Sequence, residues 1–424
     1  MSSQTSSSPF DGVAVSEALS KLRGDIPLRG LEGAITDKPY ALRFSLFPKR
    51  LGLDTTVFKP LTNPDVLERV MPSALDVMAA LGVEQARTHA LELESKATYA
   101  AYKEALDALT AKSEGELAGY ASTDLYHGWL AALLALATPL ELSAESRLEF
   151  AKNTAWHDRQ LFSALAGFVQ LKHSAVLYAM QDTSIEGSSS TGYVLLLEEP
   201  ILPQPVGFVE PMPAFFRGLA DLSNRVYQDL NGGKRPSTRE DGYSDDDEDP
   251  DPTTLENAWA FANQMALIAQ DELDGKALSQ EQVDWIQRSG ELMEAVFLGY
   301  RYWEMTYSGG FERLQRGVAL VTDIHTAFKV MPGGEIQSLV LQIAIGRIMD
   351  LFVVVPSEVG QRLTQGGIFS FYEFEQQMDE RLTDEEWGER VERGELPPLP
   401  VWSGSFVEGE PAIQPEKSET GVEP

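Results

Sequence analysis

The sequence predicts an α+β protein, a mainly helical body with a small C-terminal antiparallel sheet. Three observations carry this. Between about residues 63 and 305, apolar residues recur at helical spacing, in segments opened by Ser or Thr and closed by Gly. After residue 305 the period changes to alternation, with Gly- and Pro-bearing links. The stretch from Gly366 to Trp402 then closes the chain with a strand, a turn, a capped helix and a proline-held exit.

Taken in order, residues 1–62 read as a Ser-rich tail and an irregular lead-in, with a short strand around Ala41 to Phe47. The helical region starts near Asp65 and breaks at Pro72; the piece Ser73 to Leu81 ends at Gly82, a good C-cap. Val83 to Lys112 reads as one long helix, and Thr123 to Ala137 as a central one, apolar nearly all round. A short helix over Ser143 to Lys152 and a long one over Thr154 to Gln181 follow. Tyr193 to Leu197 suits an extended edge and Ala214 to Leu230 a helix. Residues 231–252 form an acidic, flexible loop. Capping boxes at Thr253/Glu256 and Ser279/Gln282 open helices to Leu273 and to about Trp303.

Four strands are expected in residues 306–402: Gly317 to Thr326, Ile336 to Ile345, Leu351 to Val355 and Ile368 to Phe374. Short links between sequential strands favour an antiparallel meander. Gly366 and Gly367 suit a turn or a bulge before the last strand. Thr383 and Glu386 have capping-box spacing, and Gly394 can end the helix they open. Pro397, Pro398 and Pro400 hold an extended exit that delivers Trp402 to a surface. Residues 403–424 read as a tail.

Composition bounds the function. The chain of 424 residues carries a formal net charge of -31, which argues against nucleic acid and anionic lipid as partners. Its hydrophobic content of 43% is enough for a real core. There is no cysteine, so disulfides, thiolate metal sites and Cys nucleophiles are excluded together. The N-terminus has neither the basic nor the apolar region of a signal peptide, and the longest apolar run, Leu130 to Ala137, is too short to span a bilayer. The chain as written is expected to be cytoplasmic; a leader upstream would make it exported or envelope-associated.

GxGxxG, Walker A, HExxH and GxSxG patterns are absent. Asp323 and His325 stand two apart on an expected strand, so both side chains should leave one face. A carboxylate and an imidazole there could form half of a metal site or an acid/base pair, with Glu335 or His173 as a third ligand; the plainer reading is an Asp–His hydrogen bond. His157 and His173 share one helix but lie about 160° and roughly 24 Å apart, so they cannot share a ligand. His173 is expected to face apolar neighbours. Tyr372 and Glu373 suggest a polar, aromatic binding site, against the plainer reading of a half-buried strand rim. Asp245, Asp247, Asp249 and Glu256 occupy positions 1, 3, 5 and 12 of a calcium-loop pattern, but Pro250 stands where the loop needs Gly.

Several blocks, in order, resemble a bacterial and archaeal family known only as a domain of unknown function, family three-one-six-zero. They are Met71 to Gly82, Leu125 to Leu130, Leu165 to Gln181, Phe208 to Pro211, Thr322 to Thr326, and the closing stretch with Phe369 to Phe374 and Arg381 to Trp387. The resemblance covers roughly residues 40–402. Relatives more often have Arg-His-Asp-Thr where Lys172-His173-Ser174-Ala175 stands, and a Lys where Met180 stands, which implies that any polar site there is depleted in this chain. The resemblance supports the fold and implies no established activity.

Two functions are therefore expected as alternatives. One is a non-enzymatic binding or scaffold protein with an acidic surface and an unidentified protein or small-molecule partner. The other is a metal-dependent hydrolase using Asp323 and His325. No cofactor motif is evident, and a divalent metal is the one cofactor the residues admit.

Overall fold

The computed structural model describes residues 53–62, 69–95, 98–122, 124–140, 142, 146–175, 207–236, 254–298, 319–330, 336–357 and 360–408. All fall within one compact unit, Leu46–Pro424. The architecture is α+β, as the periodicity predicts.

The first described element, helix α1 (Leu53–Leu61), corrects the expectation of an irregular lead-in. Leu53, Val57, Phe58 and Leu61 repeat at i, i+4, i+5 and i+8, and all four are buried in the main core. Pro60 in its last turn reads locally as a breaker, and burial of that stripe overrides it. Helix α2 (Ala74–Ala80) is opened by a full capping box between Ser73 and Asp76 and is buried throughout. The expected helix over Val83 to Lys112 is two helices, α3 (Glu84–Glu92) and α4 (Tyr99–Ala121). Between them the Ser95 and Thr98 hydroxyls bond each other at 2.6 Å, and Thr98 also donates to Glu94 at 2.6 Å. Such local side-chain bonds compete with a continuous helix.

Asp124 caps α5 (Leu125–Ala137) by accepting from the His127 N–H. Where a short helix is expected over Ser143 to Lys152, a single 3-10 turn forms at Glu149–Lys152. Helix α6 (Thr154–Ala175) buries fourteen side chains and is the axis of the main core. The rest of its expected length, residues 176–181, lies outside the described residues, as do the expected strands Ala41 to Phe47 and Tyr193 to Leu197. Pro213 opens α7 (Pro213–Leu230), which packs on α5 and on α8 (Thr254–Leu273). The helix expected from Ser279 to Trp303 divides at Arg288 into α9 (Gln280–Gln287) and α10 (Ser289–Leu298). Ser289 and Gly290, both weak helix formers, follow the break. Among the described residues, no helix is long and apolar enough to cross a membrane.

The strands correct the expected four-strand meander. The described residues hold five: β1 (Leu320–Val330), β2 (Ile336–Ile345), β3 (Ile348–Ser357), β4 (Gly360–Phe369) and β5 (Tyr372–Gln377). They form two sheets, one ordered β1-β2-β5 and one a β3-β4 hairpin. The hairpin is inserted between two strands that pair with each other. Gly366 and Gly367 lie inside β4, not in a turn before it. A Cβ on Gly367 would stand 2.8 Å from the Ile348 side chain, so close strand approach, not a turn, requires the glycine. The chain breaks at Ser370, whose Oγ accepts from the Gly346 and Arg347 N–H groups at 3.1 and 2.9 Å.

Alternation gives the three-stranded sheet two different faces. Ile343 and Ile345 of β2 join the main helical core. Val321, Ala344 and Tyr372 point the other way and pack under α11 (Asp384–Arg393). That helix has the expected Thr383/Glu386 capping box and ends at Gly394 with φ 71°. Its Trp387 is fully buried, stacks on Phe374 and donates to the Ile345 carbonyl at 2.7 Å. The proline-held exit then brings Trp402 back to the helical core. There it stacks on His89 of α3, with ring centroids 5.2 Å apart, and meets Phe162 of α6 edge-on.

Candidate binding site

The residues singled out by sequence do not converge. A bulge separates Asp323 from His325: Asp323 pairs with Gln342 and His325 with the adjacent Leu341. Neighbouring residues of β2 face opposite ways, so the extra residue sends Asp323 and His325 to opposite faces. This corrects the expectation that they share one. Asp323 accepts from Gln342 at 2.8 Å and from Arg381 at 3.2 Å on the side covered by α11. On the other side His325 meets Phe58 of α1 edge-on at 5.9 Å. Burial, and then the nearby Arg69 charge, hold its pKa below the usual histidine value. Glu335 lies outside the described residues. Among the described residues, no three His, Cys, Asp or Glu side chains gather to hold a metal ion.

His173 bonds Asp384 at the start of α11 at 2.7 Å, where apolar neighbours were expected. Asp384 in turn accepts from the Val321 N–H at 2.9 Å, so the pair ties α6 to both the sheet and its covering helix. Tyr372 is buried edge-on against Trp387, at 5.5 Å. Burial raises its pKa. Glu373, the next residue, faces the helical body and accepts from the Ala74 N–H at 2.6 Å. Tyr372 and Glu373 thus occupy opposite faces of β5. Asp245, Asp247 and Asp249 lie outside the described residues, while Glu256 is a buried residue of the first turn of α8, bonded to Tyr227.

Burial pushes the Glu373 carboxyl up to about 7, against the bonds from Ala74 and Ser73. A raised carboxyl pKa means that the folded state holds its proton more tightly than the unfolded chain does. This contribution to stability is complete below the ordinary value of 4.5 and is lost as pH rises through 7. Glu373→Gln keeps an acceptor for Ala74 and removes the ionisation. The variant is expected to match the wild type below pH 4.5 and to exceed it above pH 7 by on the order of 2–3 kcal/mol. Urea unfolding at pH 4.5 and 8 measures this; a pH-independent difference would contradict it.

Three buried polar clusters escaped the sequence reading. In the first, Lys172 of α6 bonds Asp54 of α1 at 2.6 Å, with both side chains almost fully buried. Asp54 Oδ1 has no partner. The Tyr126 hydroxyl lies near it, and its pKa is raised by burial and then by the Asp54 charge. Beside this pair His127 accepts from the Leu53 N–H through Nε2 at 3.1 Å and meets Asp124 through Nδ1 at 2.6 Å. That fixes a neutral imidazole with its proton on Nδ1.

In the second cluster, Asp76 accepts from Arg69 at 2.6 and 3.2 Å, from Tyr102 at 2.6 Å and from the Ser73 N–H at 2.9 Å. Burial opposes the Arg69 charge, but Asp76 outweighs it and the Arg69 pKa is raised. In the third, Asp158 of α6 binds Gln85, His89 at 2.6 Å and Ser405 at 2.6 Å. Burial alone would raise the Asp158 pKa; the bonds from His89, Ser405 and Gln85 bring it below the usual value. Serine, histidine and aspartate meet here in the wrong order for nucleophilic catalysis. The carboxylate lies between the other two, so the hydroxyl faces Asp158 and not the imidazole.

A cleft of about 370 Å³ lies between helices α5, α6 and α7 and the end of β4. Trp129, Leu133 and Leu136 of α5 form one wall, and Phe215, Phe216 and Leu219 of α7 another. Ile368 and Phe369 close it from the hairpin, beside Gly367. Helix α6 supplies the polar side with Arg159, Ser163 and Gln170. Arg159 is 3% exposed, lies over the Trp156 ring at 4.1 Å and pairs with Glu210, which also lines the cleft. Its Nε and the Ser163 hydroxyl are buried without a partner.

A family model described as a protein of unknown function, DUF3160, matches residues 15–403. The chain belongs to this family. The match begins well before residue 40, where the resemblance of the ordered blocks starts. No curated protein and no solved structure matches the chain. In this DUF3160 chain the blocks hold the buried clusters as well as the core. Asp76 lies in Met71 to Gly82, Tyr126 and His127 in Leu125 to Leu130, and Glu210 in Phe208 to Pro211. Lys172, in the block Leu165 to Gln181, is neutralised by Asp54. Two signals in this DUF3160 sequence could have found part of this. Ser73 with Asp76 has capping-box spacing, and Asp124 precedes His127 by the three residues of an N-cap bond.

Proposed function

We propose that this protein is a non-enzymatic binding protein whose ligand enters the cleft between α5, α6, α7 and β4. The observation that carries the reading is the cleft itself. Its volume suits a small molecule, its walls are apolar and aromatic, and its few polar groups stand on one helix. The buried clusters support a role other than catalysis. Each Asp, His and Lys in them is engaged with a neighbour and serves the fold. The hydrolase alternative rested on Asp323 and His325 sharing a face, and the bulge removes that premise.

The test is a thermal-shift screen of compounds of about 15–20 non-hydrogen atoms. A ligand at 100 times its Kd stabilises the fold by about 2.7 kcal/mol. Leu219 is a half-buried wall residue, so Leu219→Trp fills the cleft from a position that tolerates change. Hits are expected to raise the wild-type melting temperature, to lose that effect in Leu219→Trp, and to be recovered chemically unchanged after long incubation. A hit that is insensitive to Leu219→Trp, or that the protein converts, would overturn the reading.

A further inference from the structure

We infer that the cleft selects a neutral compound, an aromatic or aliphatic body of roughly 15–20 non-hydrogen atoms bearing one carbonyl group that docks on α6. This rests on the cleft being the binding site proposed above. The argument starts from charge. Arg159 and Glu210 both line the cleft and already neutralise each other. An anionic ligand on the Arg159 Nε–H would lie beside the Glu210 carboxylate, and a cationic one on Glu210 would lie beside the Arg159 guanidinium. Either puts a like charge next to the pair, where little water screens the repulsion. A neutral ligand meets no such cost.

The second step is hydrogen bonding. Arg159 Nε–H and the Ser163 hydroxyl are both donors, and neither has an acceptor. A buried polar group without a partner costs free energy that a suitable ligand atom restores. The two residues are four apart on α6, so they are neighbours on one face, a single turn apart. Both atoms are fully buried at the wall of the cleft, so a small shift of these two side chains brings them to a carbonyl oxygen, whose two lone pairs accept from both. The remaining walls, with Trp129, Phe215, Phe216 and Phe369, offer ring faces and edges to the body of the ligand.

The experiment uses three naphthalene probes and the full chain. Prodan is a neutral ketone, 2-naphthoate an anion, and 2-naphthylmethylammonium a cation. Fluorescence and calorimetric titration are expected to give one prodan site per chain, with both ions bound at least about ten-fold more weakly. Ser163→Ala removes one donor. Arg159→Lys keeps the charge opposite Glu210 and removes Nε–H. Each is expected to weaken prodan about three- to ten-fold with little change in the melting temperature. Binding of either ion as tightly as prodan, or an unchanged prodan Kd in both variants, would overturn the ligand class and leave the cleft reading standing. Prodan binding that survives Leu219→Trp would place the probe elsewhere and overturn both. If none of the three probes binds the folded wild type, the cleft reading itself fails.

Discussion

Lys172→Met is expected to destabilise the fold by roughly 3–5 kcal/mol, because it leaves the Asp54 carboxylate buried without its counter-charge. Asp54 is fully buried, and one of its two oxygens already lacks a partner. The remaining oxygen depends on the 2.6 Å bond from Lys172. Water cannot replace that bond where no solvent reaches. The ion pair itself is a different matter. Both charges were desolvated to form it, so exchanging the whole pair for apolar groups removes two costs together. The double variant Asp54→Leu/Lys172→Met is therefore expected to recover most of the loss. Urea unfolding of the two single variants and the double variant forms a complete cycle. A single-variant loss under about 1 kcal/mol would show that the pair is solvated.

Asp76→Ala is expected to cost a similar amount, about 3–5 kcal/mol, for a related reason. One carboxylate serves a guanidinium, a phenol and a backbone N–H, and Asp76 itself is fully buried. Removing it leaves Tyr102 without its acceptor, leaves Arg69 with Glu94 at 3.1 Å as its one carboxylate, and dismantles the Ser73 capping box in one step. Tyr102→Phe removes only one of these bonds and is expected to cost about 1.5–3 kcal/mol, the range for a hydrogen bond to a charged group. In the Asp76→Ala background the Tyr102→Phe change should cost far less, since its acceptor is already gone. Additive losses in urea unfolding would mean that the tyrosine has found another partner.

How much of this was legible in the sequence follows from the range over which each feature is encoded. Thr383 with Glu386 and Gly394 fix both ends of α11 within a dozen residues, and the structure matches them. The same holds for Ser279 with Gln282. The strands went astray where the decisive partner is distant. Gly366 and Gly367 carry the composition of a turn, and only the approach of Ile348 shows why the strand needs glycine at 367, while 366 has open space around it. The bulge at Ile324 has no glycine or proline to mark it, because the pairing of β1 with β2 imposes it. Asp54 and Lys172 are separated by 118 residues, so no local pattern joins them. The cleft is the extreme case: its walls come from α5, α6, α7 and β4, and no single segment signals it.

The return of Trp402 to the helical core bears on how the chain is made. Phe162, Leu165 and Phe168 lie in one core with Ile343, Ile345, Ile368, Phe371 and Trp402. A ribosome releases the helices first and those five residues last. At ordinary elongation rates the interval between Ala175 and Trp402 is on the order of 10–50 s. For that time the nascent helices keep an apolar side uncovered, and the turn that carries Trp402 completes its cover. Newly made protein is thus most exposed to aggregation until the Trp402 segment has emerged and folded back.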